Sequence, residues 1–186
     1  MFLYVFRHGE SEDNRNHIFS GWRNPALSEK GKIDAEELAE LLKTKQIDLV
    51  LTPDLVRNID TVREILRYHP QAKTETEKCL RERCYGDLQG TFHLDLMRKD
   101  LSLYLTYHRS YDVPPPGGES IKQVEERVWP FCEKLANRIE EEKLNVAVCA
   151  GNNSMRVIRR FFEKLTVEEM IKIENPFDNF VEYEIE

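Results

Sequence analysis

The sequence predicts an α/β protein, built as a three-layer α/β/α sandwich around a mostly parallel central sheet. Short runs of apolar and β-branched residues, typical of buried strands, alternate with stretches whose apolar residues recur every three or four positions. No internal repeat, low-complexity tract or linker interrupts the 186 residues, so one domain over residues 1–186 is expected. In such folds, binding sites lie at the carboxyl ends of the parallel strands.

Each predicted element follows from its local pattern. The predicted buried strands are 2–6, 47–52 and 145–149. The predicted amphipathic helices are 33–42, 54–68, 121–142 and 154–164. Ser28 and Ser120 are the N-cap candidates for the first and third of these helices. The segment 86–120 is irregular and ends in a turn rich in Pro and Gly, whereas the alternating tail 180–185 predicts an edge or terminal strand.

The charge balance narrows the kinds of partner. Lys+Arg 27 against Asp+Glu 34 gives a formal net charge of −7, which argues against nucleic acid and anionic membranes because both need clustered cations. No apolar run is long enough to span a bilayer, and the N-terminus lacks the cationic start of a signal peptide, so a cytoplasmic protein is expected. The four cysteines are scattered without zinc-ligand spacing, so no metal site is expected.

The sharpest local motif is the run Arg7-His8-Gly9-Glu10-Ser11, directly after the first predicted strand. A histidine next to a permanent cation can act as a nucleophile towards an anionic substrate, because the cation attracts the anion to the imidazole. Phosphoryl transfer is such a case, since positioning and charge stabilisation supply most of its catalysis. The alternative is a surface histidine in a polar turn, and the tripeptide Arg-His-Gly alone does not decide between the two.

Arg57 is a second candidate contact for the same anion. It follows the second predicted strand, just inside a helix, where the helix dipole and the guanidinium both favour a phosphate. The ends of the first and second predicted strands then both face the same bound anion. Taken alone, each arginine is more often a solvated surface charge or an ion-pair partner.

Several motifs together resemble the cofactor-dependent phosphoglycerate mutases, members of the histidine phosphatase superfamily. In chain order the matching segments are 7–11 with Asn14, 19–22, 27–31, 82–90, 109–120 and 146–156. The resemblance covers nearly the whole chain, and several motifs in order are far more specific than any single one. It implies a phosphoglycerate mutase-like fold and a homodimer.

Carried over residue by residue, the resemblance implies a catalytic group. His8 is the nucleophile that becomes phosphohistidine. Arg7 and Arg57 hold the transferring phosphoryl group. Glu82 is the general acid or base at the substrate hydroxyl, a role that suits a carboxyl group whose pKa is raised by partial burial. The alternative for Glu82 is a surface carboxylate paired with one of the arginines on either side of it.

The resemblance also implies a set of substrate-binding residues. These are Asn14, Ser20, Gly21, Tyr85, Arg109 and Asn153. Asn14 donates to the phosphoryl group, and Arg109 offers a planar fork for a carboxylate or a second phosphate. For Tyr85, ordinary packing is the alternative.

The sequence departs from the family where the second catalytic histidine is expected. The run 149–156 reads CAGNNSMR and contains no histidine. An alignment without a gap, counted back from Ser154, places Gly151 at the histidine position. In the family a Gly-Asn pair follows the histidine, and an alignment on the pair Gly151-Asn152 places Ala150 there instead, with one residue inserted. Removing one hydrogen-bond donor that stabilises the transition state, as the histidine does, raises the activation free energy by ~3–4 kcal/mol. The substitution is engineered, or it is natural with a neighbouring amide such as Asn153 as the replacement donor, or it marks a protein that binds phosphoesters without turnover.

Two further departures concern the substrate. His108 stands where the mutases have the first of two arginines, and His93 stands where a lysine is expected. Each replaces a permanent cation with a titratable group. With fewer permanent cations, the doubly anionic phosphoglycerate is less favoured as the substrate. A simple phosphate monoester remains a possible substrate.

The expected function is that of a phosphoglycerate mutase-like enzyme. It interconverts 3- and 2-phosphoglycerate through a phosphohistidine at His8, impaired by the missing histidine. The alternatives are a histidine phosphatase that hydrolyses a small phosphate monoester and a catalytically silent phospholigand-binding protein. The resemblance implies a small phosphorylated metabolite as partner, no permanently bound cofactor, and 2,3-bisphosphoglycerate as phosphoryl primer.

Overall fold

The computed structural model describes residues 1–185, and its centre is a five-stranded sheet. The strands are β1 (Phe2–Arg7), β2 (Leu49–Thr52), β3 (Lys73–Thr76), β4 (Val146–Ala150) and β5 (Phe180–Glu184). Their order is β3-β2-β4-β1-β5, with β5 antiparallel to β1 and all other pairs parallel. The mostly parallel sheet is therefore confirmed, and the tail strand lies at its edge as predicted.

Within residues 1–185, eight α-helices accompany the sheet. They are α1 (Glu12–Arg15), α2 (Glu29–Leu42), α3 (Val56–Leu66), α4 (His93–Lys99), α5 (Leu101–Arg109), α6 (Ile121–Glu142), α7 (Asn152–Glu163) and α8 (Val167–Lys172). In this part of the chain no helix has both the length and the apolar character that crossing a bilayer requires.

The side chains of β1 alternate between two apolar cores, one on each face of the sheet. Leu3 and Val5 pack with residues of α6, α7 and α8, whereas Tyr4 and Phe6 pack with residues of α2 and α3. All four side chains are buried, because successive strand residues point to opposite faces and both faces are covered by helices. The structure is therefore the predicted α/β/α sandwich.

Two helices begin at the serines that the sequence marks as caps. The Ser28 side chain accepts a hydrogen bond from the Gly31 N–H at 3.0 Å, and Ser120 forms a capping box with Gln123. The helix after β4 begins two residues earlier than predicted, at Asn152 instead of residue 154. This earlier start brings the free N–H groups of the first helical turn to the carboxyl edge of the sheet.

Several parts of the chain differ from the sequence prediction, which does not include the short helices α1 and α8. No apolar pattern predicts β3, because its residues are polar and mostly exposed at the edge of the sheet. The segment expected to be irregular contains α4 and α5, which pack against one another and carry exposed leucines such as Leu94 and Leu105. Neither helix has a fully buried residue, so neither shows the apolar face from which a helix is predicted.

Candidate active site

The candidate active site lies at the carboxyl edge of the sheet, where β1 and β4 end side by side. The last paired residues of these parallel strands are Arg7 and Ala150. His8 and Gly151 follow them directly, so they are neighbours across the strand ends. β2 ends on the other side of β4, and the helix that follows it, α3, carries Arg57. The strand ends converge where sites in parallel sheets are expected.

His8 is held as a neutral imidazole with one nitrogen available. Its Nδ1 lies 2.7 Å from the Gly9 carbonyl oxygen, which can only accept, so Nδ1 carries the proton. Its Nε2 accepts a hydrogen bond from Arg57 Nε at 3.0 Å. His8 is 2% exposed, and burial together with the charges of Arg57 and Arg7 lowers its pKa well below 6.5. Nε2 therefore keeps the lone pair that a nucleophile needs.

Arg57 is fixed by backbone carbonyls. Its Nη2 donates to the Gly21 carbonyl at 2.8 Å, and its Nη1 donates to the Arg23 carbonyl at 2.9 Å. Arg57 is 1% exposed, and burial lowers its pKa, although a guanidinium stays charged at neutral pH. Gly21 has a φ of +52°, the left-handed region that favours glycine, and it acts on the site through this carbonyl. The charge of Arg57 thus remains available for an anion.

Arg7 approaches the same space from the end of β1. Burial lowers the pKa of Arg7 to about 10, so the side chain stays charged at neutral pH. Its guanidinium carbon lies 4.0 Å from the ring centroid of Phe177, and its Nε is buried without a hydrogen-bond partner among residues 1–185. Phe177 lies in the loop before β5, with its ring centroid 6.3 Å from that of His8. No sequence pattern marks this aromatic residue as part of the site.

Glu82 lies in the site as an ionised carboxylate. Its Oε2 accepts from the Asn152 backbone N–H at 2.6 Å. Its Oε1 accepts from the Arg83 backbone N–H at 2.7 Å and from Asn153 Nδ2 at 2.8 Å. Burial by itself raises the pKa of Glu82, but the charge of Arg7 and these hydrogen bonds outweigh it and lower the pKa. The expectation of a raised pKa is therefore wrong, because the carboxylate is buried among donors rather than apolar groups.

The surface ion pair considered for Glu82 is not formed among residues 1–185 either. The Arg81 guanidinium binds Asp54, with N···O distances of 2.5 and 2.6 Å. The Arg83 side chain turns away from Glu82, and its Nη2 donates to the Tyr107 carbonyl at 2.8 Å. Glu82 is itself only 6% exposed, so it is an interior group of the site.

Arg156 belongs to the site, although the sequence analysis assigns it no role. Its Nη1 donates to Asn153 Oδ1 at 3.2 Å, and its Nε donates to the Ile173 carbonyl at 2.9 Å. Asn153 is buried, and its amide links the Arg156 guanidinium to the Glu82 carboxylate. The signal that could have identified Arg156 is the Ser-Met-Arg run at 154–156, which belongs to the family motif.

Ser20 and Asn14, two predicted substrate-binding residues, are tied into the turn that follows β1. Ser20 Oγ donates to Asp13 Oδ2 at 3.0 Å. Asn14 Oδ1 accepts from the Ser11 backbone N–H at 3.1 Å, within the capping box of α1. These contacts order the turn next to His8.

Tyr85 and Arg109 have different surroundings. Tyr85 is buried and packs on Phe19, with ring centroids 5.0 Å apart, as its packing alternative expects. Arg109 lies at the C-terminal end of α5 with half of its side chain exposed, 3.9 Å from the Glu174 carboxylate. The structure therefore brings Arg7, Arg57, Glu82 and Asn153 together around His8 and leaves Arg109 at the rim.

His93 and His108, which replace family cations, form part of an uncharged aromatic cluster. His93 stacks on Phe19 with ring centroids 3.8 Å apart, and His108 lies 5.4 Å from His93 and 5.1 Å from Tyr104. Burial is the main cause that lowers the pKa of His93 to about 4 and of His108 to about 3. Both rings are neutral at pH 7. The charge on this side of the site comes from the buried Arg83, whose guanidinium carbon lies 4.5 Å from the Tyr85 ring centroid and whose Nη2 donates to the His108 carbonyl at 3.4 Å.

The strand register favours Gly151 as the position of the missing histidine. Gly151 is the neighbour of His8 and the N-cap of α7, whereas Ala150 pairs with Arg7 inside the sheet and packs in the core that includes α6. A β-carbon placed on Gly151 would lie 2.4 Å from Glu82 Cα and 2.5 Å from its backbone N. No larger side chain fits there unless the Glu82 backbone moves.

The charged groups around His8 suit a phosphoryl group. Arg7, Arg57 and Arg156 supply positive charge, and His8 supplies a neutral imidazole with an unprotonated Nε2. Guanidinium groups fixed before the reaction stabilise charge on a transferring phosphoryl group without reorganisation. Among residues 1–185, no group of three or more His, Cys, Asp or Glu side chains is arranged to hold a metal ion.

Comparisons with known proteins agree with this arrangement. Residues 3–185 match the sequence model of the histidine phosphatase superfamily (branch 1). The 2,3-bisphosphoglycerate-dependent phosphoglycerate mutase of Parvibaculum lavamentivorans is 37% identical over 179 residues, which cover 92% of this chain and 84% of that protein. The enzyme of the same name from Brucella melitensis biotype 2 is 38% identical over 178 residues, which cover 92% and 86%.

A solved structure extends the comparison to the fold. A mycobacterial glucosyl-3-phosphoglycerate phosphatase in complex with VO3 matches with a TM-score of 0.85 at 25% identity, over 97% of this chain and 90% of that chain. The family match covers residues 3–185, and it agrees with the mostly parallel sheet and with the histidine at the end of β1. The chain is an enzyme of the histidine phosphatase superfamily (branch 1), related to the phosphoglycerate mutases.

Proposed function

We propose that this enzyme transfers the phosphoryl group of a small phosphate ester through a covalent phosphohistidine at His8. The observation that carries the proposal is the state of His8, which is buried and neutral, with its proton on Nδ1 and its Nε2 lone pair facing Arg57. A nitrogen nucleophile needs that lone pair, and the phosphoryl group needs the cation beside it.

The transfer takes place in two steps. First, the Nε2 lone pair forms a bond to phosphorus while the bond from phosphorus to the ester oxygen breaks, and the released electron pair stays on that oxygen. The ester oxygen then takes up a proton, which the family resemblance assigns to Glu82 and for which water is the other source. Second, an acceptor oxygen bonds to phosphorus while the bond from phosphorus to Nε2 breaks, and the electron pair returns to Nε2. The acceptor gives its proton to the group that supplied one in the first step, Glu82 or water. Arg7, Arg57 and Arg156 balance the charge throughout.

Mutase activity is the first candidate. The relatives that align over 92% of the chain are phosphoglycerate mutases that depend on 2,3-bisphosphoglycerate, which supports interconversion of 3- and 2-phosphoglycerate with that compound as primer. The acceptor oxygen then belongs to a bound phosphoglycerate. Gly151 in place of the second histidine makes this transfer slow, since one missing charge-stabilising donor costs about 10²–10³-fold in kcat.

Hydrolysis of a small phosphate monoester is the second candidate, and the aromatic cluster favours it. His93 and His108 are uncharged, and Arg109 is half exposed at the rim, so none of these three residues places a buried cation next to a second anionic group. The similarity to a solved phosphatase of the same fold supports this activity as well. Water is then the acceptor, and inorganic phosphate is the product.

Phosphoryl labelling tests the proposal. The enzyme is incubated with radiolabelled 2,3-bisphosphoglycerate, and acid-labile label on His8 is mapped by mass spectrometry. Coupled assays then follow 2-phosphoglycerate formed from 3-phosphoglycerate, and free phosphate. Label with isomer exchange supports the mutase, whereas label with phosphate release alone supports the phosphatase. Ligand binding without any label on His8 overturns the proposal and leaves a phospholigand-binding protein.

A further inference from the structure

The turn at residues 20–23 supplies both carbonyl groups that hold Arg57. The Ser20 carbonyl accepts from the Arg23 N–H at 3.0 Å, which closes the turn. Within the turn, the Gly21 and Arg23 carbonyls accept from Nη2 and Nη1 of Arg57 at 2.8 and 2.9 Å. The remaining nitrogen of the guanidinium, Nε, donates to His8 Nε2 at 3.0 Å. The place of the turn therefore decides where the Arg57 cation lies relative to His8.

Asp13 connects both ends of this turn to α1. The residue belongs to that helix and is 6% exposed. Its Oδ2 accepts from Ser20 Oγ and from Arg23 Nε, each at 3.0 Å. Ser20 and Arg23 are the first and last residues of the turn. Because a carboxylate oxygen only accepts, both side chains direct a donor at the same atom, and Asp13 ties them together.

The ion pair in this group contributes more to the geometry of the turn than to stability. The Arg23 side chain is 46% exposed, so water screens its charge, and the pair adds little to the free energy of unfolding. The Asp13 carboxylate, in contrast, is buried, and a buried carboxylate without hydrogen bonds is unfavourable. Its need for both donors fixes where Ser20 and Arg23 lie.

Asp13 also acts on Arg57 through its charge. Burial lowers the pKa of Arg57, and the charges of Glu82 and Asp13 oppose that effect. A carboxylate near a buried guanidinium favours its charged form, which is the form that binds an anion. Asp13 is thus a counter-charge of Arg57 as well as the anchor of the turn that holds it.

The middle of the turn has a separate support. The Trp22 backbone N–H donates to Gln89 Oε1 at 2.7 Å, and Trp22 Nε1 donates to the Glu82 carbonyl at 2.8 Å. These contacts are independent of Asp13, so the loss of its carboxylate should shift the turn without unfolding it. The two carbonyls that hold Arg57 would shift with the turn.

We propose that Asp13 is a positioning residue for phosphoryl transfer, which anchors the turn 20–23 so that the turn holds the Arg57 guanidinium against His8 Nε2. This inference rests on the phosphoryl transfer proposed for His8. It adds a residue that lies in neither the predicted catalytic set nor the predicted substrate-binding set. Asp13 acts through Arg57 and needs no contact with the substrate.

Turnover of p-nitrophenyl phosphate measures the role of Asp13. Asp13→Ala removes the acceptor, so kcat should fall by up to about 10²-fold, the scale expected when a catalytic group is misplaced by about 1 Å. Asp13→Asn should keep most of the activity, because its amide oxygen accepts the same two hydrogen bonds. An Asp13→Asn variant no more active than Asp13→Ala would overturn the proposal.

Glu12→Ala is the matched control for Asp13→Ala. Glu12 precedes Asp13 in α1, and its half-exposed side chain forms a weak pair with Arg15 at 3.9 Å. The control therefore removes a carboxylate from the same helix without touching the turn 20–23, and its kcat should stay close to that of the unmodified enzyme. Equal kcat values for Asp13→Ala and Glu12→Ala would contradict the positioning role.

A kinetic double-mutant cycle separates positioning from a general effect on the fold. It compares kcat of Asp13→Ala, Arg57→Ala and the double variant. If Asp13 acts through Arg57, the double variant is no slower than Arg57→Ala alone, since no guanidinium is left to position. A loss caused by damage to the fold would instead multiply with the loss in Arg57→Ala, and such additivity overturns the proposal.

Arg23→Ala keeps the inference testable if Asp13→Ala does not fold. It removes one of the two donors to Asp13 and keeps the main-chain carbonyl that binds Arg57. The fall in kcat should be smaller than in Asp13→Ala, and it should vanish when Arg57→Ala is also present. A loss that persists in full in the Arg57→Ala background counts against the proposal.

Binding of inorganic phosphate, measured by calorimetry, distinguishes failure of this inference from failure of the phosphoryl-transfer proposal. If no ester is turned over and no label forms on His8, phosphoryl transfer fails, while the same cycle in phosphate affinity still reports whether Asp13 acts through Arg57. If His8 is labelled but the losses from Asp13→Ala and Arg57→Ala are additive, phosphoryl transfer stands and the role of Asp13 is wrong.

Discussion

The ends of β1 and β4 are neighbours in one sheet, yet the chain uses them differently. After β1, His8 presents a neutral nitrogen next to the guanidinium of Arg57. After β4, Gly151 presents no side chain, and the adjacent backbone N–H groups hold the carboxylate of Glu82. In the proposed mechanism the first strand end carries the reacting group. At the second strand end, the absence of a side chain at Gly151 leaves room for the Glu82 backbone.

The largest effect is expected at the β1 end, from loss of the nucleophile. His8→Asn should abolish the phosphoenzyme and lower kcat by up to about 10⁶-fold, the scale found when a catalytic nucleophile is removed. Rapid-quench detection of acid-labile phosphate and steady-state turnover measure it. His17→Asn is the matched control, since His17 is exposed with a φ of +54°, which asparagine tolerates. Turnover by His8→Asn close to that of the control would contradict the assignment.

The next largest effect is expected from the cation at the same strand end. Arg57→Ala removes the donor to His8 Nε2 and a charge beside the phosphoryl group, so kcat should fall by about 10²–10³-fold. Arg63→Ala on the same helix is the control, because Arg63 is exposed and pairs only with Asp60 at 2.6 Å. An equal loss of kcat in the two variants would show that damage to helix α3, and not the loss of a contact in the site, lowers the activity.

The β4 end is tested by restoring the family residue. Gly151→His should not raise turnover, and it should lower Tm, because an added β-carbon meets the Glu82 backbone at 2.4 Å. Overpacking of this kind costs about 1–3 kcal/mol in the free energy of unfolding. Differential scanning fluorimetry and the coupled assay measure both quantities. A higher kcat with an unchanged Tm would show that the position has room for the imidazole.

The smallest expected effect concerns the pH dependence of stability at the β1 end. The pKa of His8 is well below 6.5 in the folded protein, so below that pH the unfolded chain binds a proton that the folded chain does not. The free energy of unfolding should therefore fall as the pH drops, with a His8 contribution of at most about 1.4 kcal/mol per pH unit. His8→Asn should remove this contribution in urea denaturation at about pH 7 and pH 5. Identical slopes in both proteins would contradict a buried neutral imidazole.

The parts of the fold that sequence patterns predict are those with a buried apolar face. β1 shows as a continuous apolar run, and Ser28 and Ser120 mark the starts of two helices because a cap is a local interaction. β3, α4 and α5 have no buried residues, so hydrophobic periodicity does not reveal them.

The site shows the same division. Arg7, His8 and Arg57 are predictable because each follows or ends a recognisable strand. Phe177 reaches the site through packing of the loop before β5, which no spacing rule describes, whereas Arg156 lies in the Ser-Met-Arg run of the family motif. The expected direction of the Glu82 pKa shift is wrong for a similar reason, since Arg7 and Asn153, which lower this pKa most, are remote from Glu82 in the chain.

The family, the α/β fold class and the choice of His8 as candidate nucleophile follow from local patterns and ordered motifs, which are properties of the chain read along its length. The charge state of Glu82, the neutrality of His93 and His108, and the space at Gly151 follow only from folding. Each of these depends on burial and on the distance to groups remote in sequence. Burial, hydrogen bonding and Coulomb interactions act through space, so only the folded arrangement decides which of them prevails.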